Sequence, residues 1–441
     1  MWYTKEVIDY REQSINQINQ QLHDKSFKCR NTNGCNGFVR DRKLGFKELI
    51  ILIGQGMVKS IQRELNNFYA KLKQEDYSIQ EVTKGALSHA RKKLKPDAFA
   101  ELNQTVVKTF YLGAPYTVWY KHRLLAVDGS KLNLPAHPSV VETFGEHGFG
   151  NKADCFRSMA TISTCYDVLN LLTLDARIDR FDCSEQTLLK QHLQAVEFKE
   201  HDIILLDRGY PSISLMYSLH QRGIGFCMRM KDNWWLEVKN MVEQNEQDKE
   251  VIFKLPSKDL HLMQEFETDE NFVKCRLVAI ELDNGQKEIL CVSLLDKEQY
   301  AIEDIKQLYH FRWNIEEAYK LFKCRAGLEV FSGKTANAVK QDFFAKIFMM
   351  TLCAVLTFPI EARVRSESEQ NGKHPRQINR TNAIAYCRES WLVLWLRKTK
   401  DKFLESFDKM LYKTTDIVRT GRKFPRNHKT KHPPAMTYKQ L

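Results

Sequence analysis

Two aspartates each close an apolar run in the sequence. Asp128 follows the run 124–127, and Asp207 follows the run 203–206. Short apolar runs predict buried β-strands, and a carboxylate at the end of such a strand is costly to desolvate without a cation or hydrogen-bond donors beside it. If the two strands are neighbours in one sheet, two like charges face each other and favour a bound metal ion. Alternatively, each aspartate merely caps the turn that follows its strand.

A third acid lies on a helix predicted over residues 301–327. Four side chains of this helix stand at offsets 0, 3, 7 and 14: Tyr309, Arg312, Glu316 and Lys323. At about 100° per residue, they share one arc of roughly 60°. A separate, apolar arc would pack on a sheet: Leu308, Phe311, Ile315, Ala318 and Phe322. The alternative is a solvated face on which Arg312 and Glu316 form an ordinary ion pair one turn apart.

The three acids form an all-oxygen ligand set, which suits Mg²⁺ and Mn²⁺. A pair of such ions about 4 Å apart can activate the attacking oxygen and stabilise the leaving oxygen of an in-line phosphoryl displacement. Arg312 and Lys323 would neutralise the flanking phosphates. Glu317 falls off the shared arc, so we expect Glu316 to be the ligand. The pattern predicts phosphodiester chemistry on a nucleic acid.

These residues carry a resemblance to a known family. The motif Tyr-x2-Arg-x3-Glu-x6-Lys over 309–323 resembles the signature of bacterial cut-and-paste insertion-sequence transposases with a DDE triad, of the insertion-sequence-four type. Asp128 in AVDGS and Asp207 in LLDRGY are similar to the two preceding acids of that family. The resemblance covers residues 120–335.

The resemblance implies roles for six residues. Three would be catalytic and would hold Mg²⁺, for which Mn²⁺ substitutes: Asp128, Asp207 and Glu316. Three would bind the DNA backbone near the cleaved end: Tyr309, Arg312 and Lys323. It also implies double-stranded DNA as the partner, as terminal inverted repeats and as target DNA, and a homodimer in the synaptic complex.

The elements that position these residues follow a recognisable order. Strands are predicted at 124–134, 158–168 and 171–179, a helix capped by Ser184 at 184–196, then a strand at 202–210, a helix at 212–223 and a strand at 225–230. This is the element order of the ribonuclease-H-like α/β fold. The first three strands would form an antiparallel meander, and the fourth would lie parallel beside the first.

Five segments are expected along the chain. They are a helical, basic DNA-binding region at 1–118, the first part of the ribonuclease-H-like core at 119–231, an inserted β-rich subdomain at 232–300 with a turn at 283–285, the core helix at 301–335, and a C-terminal helical region with a basic tail at 336–441. Within the first segment, a start at Ser78, a break near Gly85 and a basic stretch at 90–94 outline a helix-turn-helix. A plain helical bundle is the alternative.

The charge of the 441-residue chain is unevenly distributed. Residues 1–120 carry 19 basic and 12 acidic side chains (net +7), residues 121–418 carry 41 and 43 (net −2), and residues 419–441 carry 7 and none (net +7). Basic ends around a balanced centre suit a protein whose flanks bind a polyanion. Two merely solvated ends are the alternative.

We expect a cytoplasmic protein that binds no membrane. The 11 cysteines are scattered without a disulfide framework, which favours a reducing compartment. The first residues lack an export pattern. The longest apolar run, 347–360, has 14 residues, too few to span a bilayer, and predicts a buried helix.

Together these features predict a Mg²⁺-dependent DNA transposase. It would cleave phosphodiesters at the ends of an insertion sequence and join the 3′-OH ends to target DNA by two-metal-ion catalysis. Two alternatives stay open: a ribonuclease-H-like nuclease that cuts without joining, and a domesticated DNA-binding protein without catalysis.

Overall fold

A computed structural model describes residues 5–34, 37–40, 42–76, 79–149, 155–231, 235–281, 285, 287–371, 374–396 and 401–418. Ser78, the turn residues Asp283 and Asn284, and the basic tail at 419–441 lie outside the described residues.

The described strands are β1 (Leu124–Asn133), β2 (Glu146–Phe149), β3 (Cys155–Asp167), β4 (Leu172–Arg180), β5 (Ile203–Leu206), β6 (Gly225–Arg229), β7 (Asp248–Lys254), β8 (Phe272–Glu281), β9 (Lys287–Val292), β10 (Arg376–Ile378) and β11 (Thr415–Ile417).

The described α-helices are α1 (Lys5–His23), α2 (Lys25–Arg30), α3 (Phe46–Gly54), α4 (Ile61–Lys73), α5 (Lys84–Lys93), α6 (Asp97–Gly113), α7 (Pro138–Phe144), α8 (Glu185–Ala195), α9 (Ile213–Gln221), α10 (Leu236–Glu243), α11 (His261–Glu265), α12 (Ile302–His310), α13 (Trp313–Cys324), α14 (Ala336–Asn371), α15 (Arg380–Glu389), α16 (Trp391–Leu396) and α17 (Asp401–Lys413).

A central mixed sheet organises the middle of the chain. Its strand order is β2-β3-β1-β5-β6-β9-β8-β7, and β4 also pairs with β3. Strand β1 pairs antiparallel with β3 and parallel with β5, and β3 pairs antiparallel with β4. The predicted meander and the parallel fourth strand are therefore confirmed, and the fold is mixed α/β.

Two local features near the first strands differ from the sequence predictions. Strand β5 ends at Leu206, earlier than predicted, because the chain turns there and the amide of Tyr210 bonds to the carbonyl of Asp207 at 3.1 Å. The segment after β1 contains helix α7, capped by His137 and opened by Pro138, where we predicted no element. A histidine cap with proline at the first helical position is compatible with a helix start but weak as a sequence signal.

The β-rich segment between Asp207 and Glu316 continues the central sheet. Strand β9 pairs antiparallel with β6, with Cys227 opposite Val292. Strands β7 and β8 extend the sheet beyond it, each antiparallel to its neighbour. The segment predicted to be β-rich, 232–300, therefore contains three strands of the central sheet.

The single helix predicted over 301–327 is wrong, because α12 and α13 are separated at Phe311 and Arg312. At this point the amide of Arg312 bonds to the carbonyl of Tyr309 at 3.0 Å, three residues back rather than four. Such tightened turns interrupt α-helices without redirecting the chain strongly. The apolar arc still packs inward, since Leu308, Ile315 and Phe322 are buried in one cluster against the sheet.

The predicted helix-turn-helix is wrong in its helix start near Ser78 and its break near Gly85, whereas the basic stretch does lie on a helix, α5. Residues 79–83 are not helical, and Gly85 lies inside α5, whose first turn is capped by Thr83 accepting a hydrogen bond from Ala86. The basic stretch does not face outward as a unit, because Arg91 is buried. The threonine cap outweighs the helix-breaking tendency of a glycine in the first turn.

Helix α14 is a long helix around which the other helices pack. The apolar run 347–360 lies in its middle and is largely buried, which confirms the predicted buried helix. Residues Ala336–Gln370 are long and apolar enough to cross a membrane by length and composition, but 78% of the most apolar window is buried inside the protein. A single core cluster joins α14 to the N-terminal helices and to α15–α17.

Candidate active site

The pairing of β1 with β5 places the two predicted aspartates side by side. Leu124 lies opposite Ile203 and Ala126 opposite Leu205, and the same register continued by two residues brings Asp128 level with Asp207. Each carboxylate accepts a hydrogen bond from the next amide, that of Gly129 at 2.9 Å and that of Arg208 at 2.7 Å. Asp207 thus follows the last residue of β5, and Asp128 lies within β1, just beyond the part of β1 that pairs in parallel with β5.

Helices α12 and α13 bring the third acid to the same edge. The Arg312 guanidinium donates to Glu316 Oε1 at 2.8 Å and lies 5.6 Å from the centroid of the Tyr309 ring. The Tyr309 hydroxyl approaches Asp207 Oδ1 at 3.5 Å, a long contact. The interruption of the helix therefore leaves these three residues on one side, facing the second aspartate.

Lys323 contacts the same strand as Asp128. Its ammonium donates to the carbonyl of Lys131 on β1 at 2.7 Å. Burial lowers the pKa of Lys323, and the nearby Glu329 carboxylate opposes that shift. In contrast, Glu317 is exposed and pairs with Lys320 away from the site.

The pKa of Asp128 is shifted by its burial and by the charges around it. Burial raises the pKa of Asp128 to about 6; the Gly129 amide and the Arg312 guanidinium oppose this shift, and the carboxylates of Glu185 and Glu316 add to it. The buried Arg312 offsets only part of this negative charge. A cation at this position would neutralise the remainder.

Glu185 and Tyr210 also lie beside the two aspartates, although no sequence pattern predicted them there. Glu185, in the first turn of α8, lies so close to Gly129 that a Cβ at that glycine would be 2.5 Å from Glu185 Oε1. Tyr210 follows Asp207 by three residues, and its buried hydroxyl has no hydrogen-bond partner among the described residues. The sequence did contain one indication of a close neighbour: a glycine follows each aspartate, Gly129 directly after Asp128 and Gly209 two residues after Asp207.

Residues 119–352 match the family model described as the transposase DDE domain. The match covers more than half of the chain and includes all six predicted site residues. The chain belongs to this family. Its function is accordingly that of a DNA transposase, and neither a nuclease that only cuts nor a protein without catalysis is favoured.

Comparison with solved structures gives a weaker likeness. A cryo-EM structure of the piggyBac transposase synaptic complex with hairpin DNA superposes with a TM-score of 0.43, at 10% sequence identity, over 93% of this chain and 83% of that chain. A likeness at this level carries no conclusion about the transposase described here. No curated protein matches the chain.

Transposases of this family use divalent metal ions. The side chains of the site can therefore be compared with the ligands that such an ion needs. Within the described ranges, no three His, Cys, Asp or Glu side chains converge closely enough to hold a metal ion as they stand. Glu316 is engaged by Arg312. The chemistry nevertheless fits, because the donors are carboxylates, Asp128 lacks a full counter-charge, and the described residues offer the buried Tyr210 hydroxyl no hydrogen-bond partner.

Proposed function

We propose that this transposase cleaves phosphodiesters at the ends of an insertion sequence and joins the 3′-OH ends to target DNA, as an enzyme of the bacterial insertion-sequence-four type. The observation that carries the proposal is the placement of Asp128 and Asp207 on adjacent parallel strands, next to Glu316 on α13. The order β4-β3-β1-β5-β6 supports a ribonuclease-H-like core for this domain.

The three acids would hold the metal ions: Asp128, Asp207 and Glu316. Mg²⁺ is the proposed ion and Mn²⁺ its substitute, because both prefer carboxylate oxygens. When bound, such ions supply activation of the attacking oxygen and stabilisation of the leaving oxygen. Glu316 can serve only if its pair with Arg312 opens.

The basic side chains Arg312 and Lys323 would then bind phosphates of the DNA backbone. Arg312, once released by Glu316, offers a planar fork that can bind a phosphate with two hydrogen bonds. Lys323 lies beyond Asp128 along β1, where its ammonium would meet a neighbouring phosphate. Tyr309 keeps its ring against Arg312 and its hydroxyl towards Asp207, which positions both groups.

The reaction proceeds in two balanced displacements. In the first, a water oxygen bonds to phosphorus, the bond from phosphorus to the 3′ oxygen breaks, and that oxygen takes a proton to become a 3′-OH. In the second, the oxygen of this 3′-OH bonds to a phosphorus of target DNA, the bond from that phosphorus to the target's own 3′ oxygen breaks, and the displaced oxygen takes up the proton that the attacking hydroxyl loses. Because the second step exchanges one phosphodiester for another, no ATP is needed.

The partners proposed are the terminal inverted repeats and the target DNA, bound by a homodimer in the synaptic complex. The net charge of +7 over residues 1–120 and again over 419–441 supports DNA binding by the two ends of the chain. The central part, with a net charge of −2, would contribute through bound cations, Arg312 and Lys323. The proposed location of the protein is the bacterial cytoplasm.

Incubation of the purified protein with a fragment that carries the element's own ends tests this function. With Mg²⁺ and a plasmid target, we expect cut ends and then covalently joined products, neither of which forms in EDTA. Cut ends without joined products would indicate a nuclease. No cutting with either Mg²⁺ or Mn²⁺ would contradict the proposed function.

A further inference from the structure

A fourth carboxylate lies at the proposed metal site. Glu185 is the first residue of α8, directly after the capping Ser184. A Cβ built on Gly129 would lie 2.5 Å from Glu185 Oε1, and one built on Gly209 would lie 3.8 Å from Glu185 Oε2. The carboxylate of Glu185 therefore lies between Gly129 on β1 and Gly209 in the turn after β5.

Glu185 is exposed and stands in the first turn of α8, where the helix N-terminus favours a carboxylate. No hydrogen bond or ion pair from a described residue holds the Glu185 carboxylate, although Gln186 beside it donates to the carbonyl of Gly209 at 3.4 Å. Three acids that approach one another without a matching set of cations are unfavourable. The repulsion acts on the partly buried Asp128, and a cation shared with Glu185 would relieve it.

The buried hydroxyl of Tyr210 points to a ligand at the same place. Tyr210 is 1% exposed, and its hydroxyl has no partner among the described residues. Burial raises the pKa of Tyr210 well above its ordinary value, and the carboxylates of Glu185 and Asp128 add to the shift, so these charges lie near the hydroxyl. A buried donor without an acceptor is costly and calls for an oxygen atom that arrives with a ligand.

We propose that Glu185 is a fourth metal-binding carboxylate of this transposase, which holds a divalent cation together with Asp128, and that the Tyr210 hydroxyl donates to an oxygen atom of that ion's shell. The proposal rests on the proposed function of the site. It also gives Gly129 a specific purpose, because any side chain there would displace the Glu185 carboxylate.

Direct Mn²⁺ binding to the full, EDTA-treated chain tests the proposal, measured by titration with electron paramagnetic resonance in the absence of DNA. Glu185→Gln is expected to weaken Mn²⁺ binding by about 10- to 100-fold, and Tyr210→Phe by about tenfold. Glu200→Gln is the matched control, because Glu200 is an exposed glutamate whose carboxylate lies beside His201. It should bind Mn²⁺ as the wild type does.

A double-mutant cycle links the glycine to the acid. Gly129→Ala should weaken Mn²⁺ binding as Glu185→Gln does, and should add nothing when Glu185 is already replaced. Independent effects of the two changes would overturn the proposed role of Gly129 and of the Glu185 carboxylate beside it. Thermal unfolding of each variant in EDTA shows whether the fold is kept.

The outcomes separate this inference from the proposed function. If Asp128→Asn loses Mn²⁺ binding while Glu185→Gln and Tyr210→Phe bind as the wild type does, the fourth carboxylate is wrong and the proposed function stands. If Asp128→Asn also binds Mn²⁺ normally, the proposed function itself is contradicted. Weakened binding in both Asp128→Asn and Glu185→Gln supports both.

Discussion

At the scale of single residues, Asp128 shows how the site departs from a structure built only for stability. The carboxylate is partly buried near two other acids, Glu185 and Glu316, and the Arg312 guanidinium that opposes their charge is already paired with Glu316. A side chain in this situation destabilises the fold unless something binds to it. Such a cost is typical of functional sites.

The pKa of Asp128 gives a stability prediction with a definite sign. A pKa raised to about 6 in the folded protein means that the folded state favours the protonated acid, so wild-type stability falls as the pH rises from about 4 through 6. In EDTA, Asp128→Asn should unfold a few degrees above the wild type at pH 7.5, and the two should coincide at pH 4. Thermal unfolding at both pH values measures this.

Added Mg²⁺ provides the control for that measurement. It should raise the unfolding temperature of the wild type at pH 7.5 and leave that of Asp128→Asn unchanged, because only an ion that binds the folded state stabilises it. An Asn variant less stable than the wild type in EDTA would contradict the electrostatic account of Asp128.

Sequence reasoning reached some of these residues because their signals are local. Asp128 and Asp207 stand directly after apolar runs, and the motif over 309–323 lies within a few helical turns. Glu185 and Tyr210 came to the site only through the packing of α8 and of the turn after β5 against β1. Contacts between residues far apart in sequence leave no periodic pattern to read.

At the scale of elements, a buried polar network ties α5 to α14. The Arg91 guanidinium donates to Gln341 at 2.7 Å, to Asp342 at 2.7 Å and to the carbonyl of Ala338 at 2.9 Å. It also bonds to Ser332 at 2.5 Å. Arg91, which lies in the basic stretch predicted to belong to a DNA-binding helix, therefore has a structural role: its hydrogen bonds connect α5 to α14.

Loss of that guanidinium should be costly. Arg91→Met leaves Asp342 buried without its partner, and we expect a loss of about 3–5 kcal/mol in the free energy of unfolding. The neighbouring Lys92 is exposed, so Lys92→Met should change it by no more than about 0.5 kcal/mol. Urea unfolding of both variants measures these free energies. If Arg91→Met loses as little free energy of unfolding as Lys92→Met, the network contributes little to stability.

Element boundaries show why periodicity alone misplaces helix ends. The pattern over 301–327 is helical throughout, yet a three-residue hydrogen bond at Arg312 divides it. The break near Gly85 was predicted from the glycine, whereas Thr83 starts the helix before it. In contrast, the strand order followed from the alternation of apolar runs and from the rule for parallel connections.

At the scale of the whole molecule, the two ends of the described chain pack together. Arg11 on α1 forms a buried ion pair with Asp408 on α17 at 2.8 Å. Strands β9, β8 and β7 extend the central sheet beyond β6. The basic segment 419–441 follows β11, which pairs with β10. The described chain therefore ends in the two-stranded sheet of β10 and β11, which contacts α14.

Removal of residues 419–441 tests the part that charge plays in DNA affinity. The segment carries seven basic side chains and no acidic one, so its loss should reduce the slope of log affinity against log salt by up to about 6 and leave the unfolding temperature unchanged. Fluorescence anisotropy with a duplex at several salt concentrations gives the slope. An unchanged slope would mean that the segment does not contact DNA.

Cleavage and joining of end-containing DNA by Glu316→Gln and Glu317→Gln, side by side, tests the central claim most directly. The two glutamates are neighbours on α13, but Glu316 faces Arg312 and the strand ends, whereas Glu317 faces Lys320 and solvent. With Mg²⁺, Glu317→Gln should cut and join as the wild type does, and Glu316→Gln should do neither while remaining folded. Full activity of Glu316→Gln would contradict the assignment of this site as the active site.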